Sequence, residues 1–192
     1  MSLTASPVIP EMRTEVPLLE AARNMDRQAL VEIFDLYSSA LYNYALRLCS
    51  DPFKADNIVG DVFAKLLEQW SSGRGPSTNL RSYLYEMTYH LIVDEARHSH
   101  REAPLEVMDF LRYDGNASMV NLENRMLFDA VIMAIKKHLT EDQRHVIILR
   151  FLEGFSLRET ADILGKEVYN VKVIQNRGVA KIRKALSHKV AS

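Results

Sequence analysis

Cysteine is almost missing from the sequence: Cys49 stands alone, so no intramolecular disulfide can form, and neither a CxxC nor an HExxH spacing occurs. A disulfide framework is excluded, and a reducing cytoplasm is the expected compartment. Long apolar runs are missing as well. No stretch approaches the roughly 18 apolar residues that a membrane span needs, and the opening MSLTASPVIPEMRTEVP has neither a basic n-region nor an apolar h-region. Membrane insertion is therefore not expected. β-type alternation of useful length is absent, no catalytic constellation stands out, and neither enzymatic activity nor a cofactor or metal is expected. Net charge is nearly absent too, at −1 over 192 residues. With 47% hydrophobic and 26% charged residues, the chain is a globular one able to bury one sizeable core or two small ones.

The near-neutral total conceals an uneven distribution. Residues 165–192 carry seven lysines and arginines against the single acid Glu167, whereas residues 101–129 carry six acids against three arginines. A basic end beside an acidic middle points to a polyanion-binding element whose neighbour stays off that polyanion or imitates it. A solvated lysine-rich terminal helix accounts for the charge equally well.

Apolar spacing is helical nearly throughout. Leu30, Ile33, Phe34, Tyr37, Leu41, Ala45 and Leu48 follow steps of three and four and predict one core-facing stripe. Asp51-Pro52 restarts the chain as cap and first helical residue. A second stripe runs through Ala55, Ile58, Val59, Val62, Phe63, Leu66, Leu67 and Trp70. SSGRGPSTN (71–79) reads as a flexible loop, and Leu80, Leu84, Met87 and Leu91 open a third helix that runs into ARHSHRE. Pro104, Asp114, Gly115 and Asn116 break the pattern in an acidic linker, and helical signal returns from Leu122 to Leu139. Thr140–Gln143 and Ser156–Glu159 have the form of capping boxes, and Gly154 and Gly165 sit where helices end. The prediction is an all-α fold of two helical lobes: a short extension over 1–17, a first lobe over 18–102, a linker over 103–121 and a second lobe over 122–192.

Within SLRETADILGKEVYNVKVIQNR (156–177) the helix from Ser156 stops at Gly165 and another starts near Val168, with small Ala161 where the pair must approach. This is the helix-turn-helix pattern, which an ordinary helical hairpin also satisfies. On the second helix Val168, Val171, Ile174, Gly178, Ile182 and Ala185 are expected to face inward. Tyr169, Lys172, Val173, Asn176 and Arg177 are expected to face outward, combining the amide, cation and apolar surface that read base edges in a major groove. Arg158, Arg177, Lys181, Arg183 and Lys184 are placed to neutralise phosphates.

The run LTEDQRHVIILRFLEGFSLRETADILGKEVYNVKVIQNRGVAKIRKAL resembles the fourth region of bacterial sigma factors of the extracytoplasmic-function group. ALVEIFDLYSSALYNYALRLCSDPFKADNIVGDVFAKLLEQW and SYLYEMTYHLIVDEARHSHR resemble the second region of the same group. The resemblance implies an initiation factor that binds core RNA polymerase and promoter DNA and is controlled by an anti-sigma partner. Its fourth region would read the upstream promoter element as duplex through Arg158, Tyr169, Asn170, Lys172, Val173, Asn176, Arg177 and Lys181. The second region would capture unstacked bases of the downstream element, with the 71–81 segment, Arg74, Arg81, Tyr83, Tyr85, His90 and Arg97 as the candidate cradle. Asp56, Asn57, Gly60 and Asp61 would meet the polymerase.

The chain departs from the family pattern at several of these positions. Asn57-Ile58-Val59-Gly60-Asp61 stands where an acid-leucine-x-glutamine-acid series is usual, His90 where an asparagine is common, and Asn170 where a threonine is usual. Lys166 and Tyr169 replace smaller or apolar residues, so a promoter sequence does not carry over. Two other readings stay open: a stand-alone helix-turn-helix transcription regulator, which would footprint duplex DNA without polymerase, and a helical adaptor that binds only proteins. Asp94, Glu95 and Arg97 read as a solvated ion-pair cluster rather than acid–base machinery. The spacing of His90, His98 and His100 matches no common zinc pattern.

Overall fold

The computed structural model describes residues 15–99 and 122–190, and the chain divides into two units that part between Glu106 and Val107. The expected linker, with its boundaries at 103 and 121, lies outside the described residues. Among the described residues every regular element is helical.

The N-terminal unit holds α1 (Glu15–Arg23), α2 (Arg27–Cys49), α3 (Pro52–Ser71) and α4 (Leu80–Ser99). Helix α1 starts inside the segment expected to be an extension, and its Leu19 and Ala22 are buried. Asp26 caps α2 by accepting from Ala29 N at 2.9 Å, and Asp51 caps α3 by accepting from Phe53 N and Lys54 N. A side-chain cap of this kind contributes about 1 kcal/mol. Helices α1, α3 and α4 all pack on α2. Tyr44 and Tyr85 lie at the centre, ring centroids 5.2 Å apart, among Ile33, Leu41, Val62, Leu66 and Leu84.

The stripe expected on α3 is buried as predicted except for Leu67, which is exposed. The stripe expected on α2 is covered, with Leu30, Tyr37 and Leu48 half-buried, except for Phe34, and Tyr44 joins it. Ile33, Leu41, Tyr44 and Ala45 form its buried centre, while Phe34 is 46% exposed and only leans on Phe63 at 4.8 Å. A step of one residue turns a helix by about 100°, so Phe34 falls at the edge of the face centred on Ile33, Leu41 and Tyr44, which α1, α3 and α4 cover.

The C-terminal unit holds α5 (Leu122–His138), α6 (Glu141–Ile147), a π-helical turn (Ile148–Leu152), α7 (Leu157–Leu164) and α8 (Val168–Val190). Both capping boxes form. Thr140 Oγ1 accepts from Gln143 N while Gln143 Oε1 accepts from Thr140 N; Ser156 Oγ accepts from Glu159 N while Glu159 Oε2 accepts from Ser156 N at 2.7 Å. Gly165 ends α7 in the left-handed region at φ 60°, and Lys166 N reaches back to Ala161 O at 2.9 Å. Helix α8 packs against α5, α6 and α7.

Helix α8 comes close to α6 at Gly178. A Cβ built there would lie 3.0 Å from Ile147 Cγ1 and 3.2 Å from its Cδ1. Alanine gains about 1 kcal/mol over glycine in helix propensity, but overpacking a filled interface costs about 1–3 kcal/mol. Since Ile147 is itself buried and hemmed in, the second effect dominates. Gly178→Ala is expected to destabilise the C-terminal unit by about 1 kcal/mol, read as a lower thermal midpoint; a higher midpoint would contradict the close contact.

His145, on α6, is almost fully buried, and its pKa is pushed down from 6.5 to about 4. Burial is the main cause; Arg144 and Lys166 add to it and Asp142 opposes it. Between the two values the unfolded chain binds a proton that the folded chain refuses. Stability is therefore full above about pH 6.5 and falls as pH drops toward 4, by about 3 kcal/mol in all. In an NMR titration the His145 ring should titrate near 4, and His145→Leu should flatten the stability profile over that window. A His145 midpoint at 6.5 would contradict its burial.

Candidate nucleic-acid interface

Helix α8 is amphipathic in three dimensions, and its wet face holds most of the residues predicted to meet DNA. Val171 is fully buried, Gly178 is against Ile147, and Ile174, Ile182 and Ala185 are half-buried on the inner side. Asn170, Lys172, Asn176, Arg177 and Lys181 are exposed, Tyr169 is 75% exposed, and Val173 is half-buried at the margin. Arg183, Lys184 and, on α7, Arg158 are exposed as well. Lys172 and Asn176 lie four residues apart, one turn of the helix, so their tips share one strip of surface. Lys181 lies five residues beyond Asn176, past that turn.

One inward assignment is overturned. Val168 is 42% exposed, because it is the first residue of α8 and emerges from the turn before the helix meets α6. In the turn Lys166 reaches across to Asp142 on α6, Nζ to Oδ2 at 3.2 Å, which ties the start of α8 to α6.

A contact that sequence reasoning missed holds the pair of helices together. The π-helical turn, in which Glu153 N bonds Ile148 O, carries Arg150 toward α8. There the guanidinium donates from Nε to Gln175 Oε1 at 2.9 Å and from Nη1 to the backbone carbonyl of Phe155. Nothing local in the sequence says that residue 150 reaches residue 175.

In the N-terminal unit the loop between α3 and α4 is anchored rather than free. Trp70 Nε1 donates to Pro76 O at 3.3 Å, and Gly75, at φ 91°, lies so close over Trp70 that a Cβ would fall 2.9 Å from its ring. Arg74 is exposed on that loop and donates to Ser72 Oγ at 3.2 Å. Arg81 is half-buried, its guanidinium carbon 5.5 Å from the Tyr85 centroid. Tyr83 is half-buried and donates to Gln69 Oε1 at 2.8 Å; burial, with Glu86 nearby, raises its pKa.

Tyr85 leaves the candidate cradle: it is 1% exposed and stacks on Tyr44, so its ring belongs to the core. His90 is exposed farther along α4, 3.9 Å from Glu86 and with its ring beside that of Tyr89. Arg97 is exposed and pairs with Asp94 at 3.3 Å, whereas Glu95 turns the other way to Lys54 on α3 at 2.6 Å. The three charged neighbours thus do not converge. The side chain of His98, and His100 altogether, lie outside the described residues; among those described no group of three His, Cys, Asp or Glu side chains is placed to hold a metal ion.

Helix α3 presents a second polar face. Asp56, Asn57, Gly60 and Asp61 are all exposed while Ile58, Val62 and Leu66 point into the core. Around Gly60 nothing stands within 4 Å of where a Cβ would be, so its lack of a side chain leaves a shallow, open place between two carboxylates. No helix among the described residues is long and apolar enough to cross a membrane.

Residues 33–102 match the family described as Sigma-70 region 2, and residues 137–184 match Sigma-70 region 4. The chain is 28% identical over 157 residues to the ECF RNA polymerase sigma factor SigX of Bacillus subtilis, a match covering 79% of this chain and 80% of that protein. It is 24% identical over 175 residues to the ECF RNA polymerase sigma factor BldN of Streptomyces coelicolor, covering 88% of this chain but 64% of that one, so it spans less than two thirds of that relative. Among solved structures, CnrH in complex with the cytosolic domain of CnrY superposes with a TM-score of 0.67 at 21% identity, over 91% of this chain and 97% of that one. The sigma factor RpoE of Bartonella quintana, in complex with the anti-sigma factor NepR, gives 0.61 at 21% identity, over 81% and 95%. At that identity the likeness is one of fold. With region 2 ahead of region 4 along most of its length, the chain belongs to the sigma-70 family of RNA polymerase sigma factors, in the extracytoplasmic-function group.

Proposed function

We propose that the chain binds core RNA polymerase and directs it to promoters, acting by recognition rather than catalysis, in the cytoplasm and at the nucleoid when active. The observation that carries the reading is the wet face of α8, where an amide, a long cation and a row of exposed arginines and lysines stand on a helix whose other face packs on α5–α7. That division supports Lys172, Val173 and Asn176 as base-reading residues, with Tyr169 and Asn170 at the helix start beside them. Arg158, Arg177 and Lys181 hold phosphates. Arg74, Arg81, Tyr83, His90 and Arg97 meet the opened downstream element. Asp56, Asn57, Gly60 and Asp61 dock on the polymerase. Control by a separate anti-sigma protein is part of the proposal; RpoE, whose fold this chain shares, is bound by one.

Run-off transcription with reconstituted core polymerase on a genomic promoter library separates this reading from a stand-alone regulator. Transcripts should depend on both chain and core enzyme, whereas a specific duplex footprint by the chain alone, with no transcript, would favour the regulator. Asn176→Ala should change which upstream element is preferred, at a cost of about 1–3 kcal/mol for the contacted base pair. Lys181→Ala should weaken all sequences alike and lower the salt slope by about one phosphate contact. An identical uniform loss from both would refute the division of roles. Asp61→Lys should reduce affinity for core polymerase in a titration, and an unchanged affinity would remove α3 from the docking surface.

A further inference from the structure

We propose that Arg150 is a positioning residue for promoter reading: through its hydrogen bond to Gln175 it sets the rotation of the recognition helix, and with it the base preference of Lys172 and Asn176. The inference rests on the reading of the chain as a promoter-recognition factor and adds a determinant that never touches DNA. Three observations carry it. Gln175 immediately precedes Asn176 on α8, and Lys172 lies one helical turn before Asn176, so a contact at 175 fixes the azimuth of both tips. The same guanidinium also holds the carbonyl of Phe155, the residue before the Ser156 cap of α7, so one rigid planar group fixes the entry to the first helix and the side of the second. Third, the donor is delivered by a π-helical turn, a local widening of the helix that is found frequently at functional sites.

The apolar packing of α8 leaves this job to be done. Val171 and Gly178 are buried against the neighbouring helices, whereas Ile174 and Ile182 on the same inner side are only half-buried, so the apolar packing of α8 on α5, α6 and α7 is less complete at those positions. The hydrogen bond from Arg150 to Gln175 adds a directional polar tie to that apolar packing. A lysine in place of Arg150 keeps the charge but has no planar fork to hold two acceptors at once.

The test is run-off transcription by the full chain with core polymerase on a library randomised at the upstream element. It scores the ratio of transcript from the sequence the wild type selects to that from its single-base variants. Gln175→Ala and Arg150→Lys are each expected to lower that ratio about tenfold, with affinity for core polymerase unchanged. Gln175→Glu keeps an acceptor for the guanidinium and should hold the ratio within about twofold, while its added charge near DNA lowers all transcripts alike. The double variant Arg150→Lys/Gln175→Ala should fall no further than Arg150→Lys alone, because the tie to Gln175 is already lost there.

Wild-type activity with an unaltered ratio in Gln175→Ala would overturn the positioning role, and so would additive losses in the double variant. If Arg150→Lys does not fold, Gln175→Ala and Gln175→Glu still decide the matter. A wild type silent on the whole library would instead overturn the initiation-factor reading on which this one stands.

Discussion

A helix proposed to read base edges has to keep one face fixed while the other stays in water, and the closest constraint seen on the fixed face of α8 is the contact of Gly178 with Ile147. With no Cβ at 178, α8 comes close enough to α6 for Ile147 to fill the gap, and Val171 is sealed seven residues earlier on the same line. A buried aliphatic side chain of this size contributes about 1.5–3 kcal/mol, enough for a few such contacts to hold a short lobe together. The remaining supports act around that line. Ser156 and Thr140 start α7 and α6, Gly165 turns the chain between the two helices, and Lys166 bonds back to Asp142. The residues with chemistry for DNA are those this packing leaves outside.

The N-terminal unit solves the same problem with a different hub. Helix α2 gathers α1, α3 and α4 around Tyr44 and Tyr85, and α3 is left with a polar side from Asp56 to Asp61. Lys54 and Glu95 join α3 to α4 at 2.6 Å; this hydrogen-bonded pairing raises the Lys54 pKa and keeps the amine charged. The loop that follows α3 carries Arg74 on a backbone held against Trp70, so the exposed guanidinium is displayed from an anchored support. Such a support lowers the entropy lost when the loop meets a partner.

The sequence made the local features legible and left the distant ones dark. Asp51 with Pro52, both capping boxes and Gly165 could be read because their partners lie within four residues and the chemistry of each is written in its neighbours. The exposed set on α8 was legible for the same reason: period 3.6 sorts a helix into faces once its inner residues are identified. On α2 only the edge of the stripe was misjudged, since Tyr44 and Phe34 are both large aromatic side chains and only the three neighbouring helices decide which is covered. Tyr85 looked available to a base for want of any sign that Tyr44 would stack on it. The link from Arg150 to Gln175, 25 residues apart, depends on a π-helical turn that no propensity announces.

The central claim is that the outer face of α8 meets the upstream promoter duplex when the chain is bound to polymerase. Replacing Asn176 with a photoreactive amino acid and irradiating the holoenzyme on its promoter tests this directly. The account predicts a crosslink to one or two adjacent base pairs of the upstream element. A crosslink to a polymerase subunit, or none to DNA from a holoenzyme that still transcribes, would contradict it.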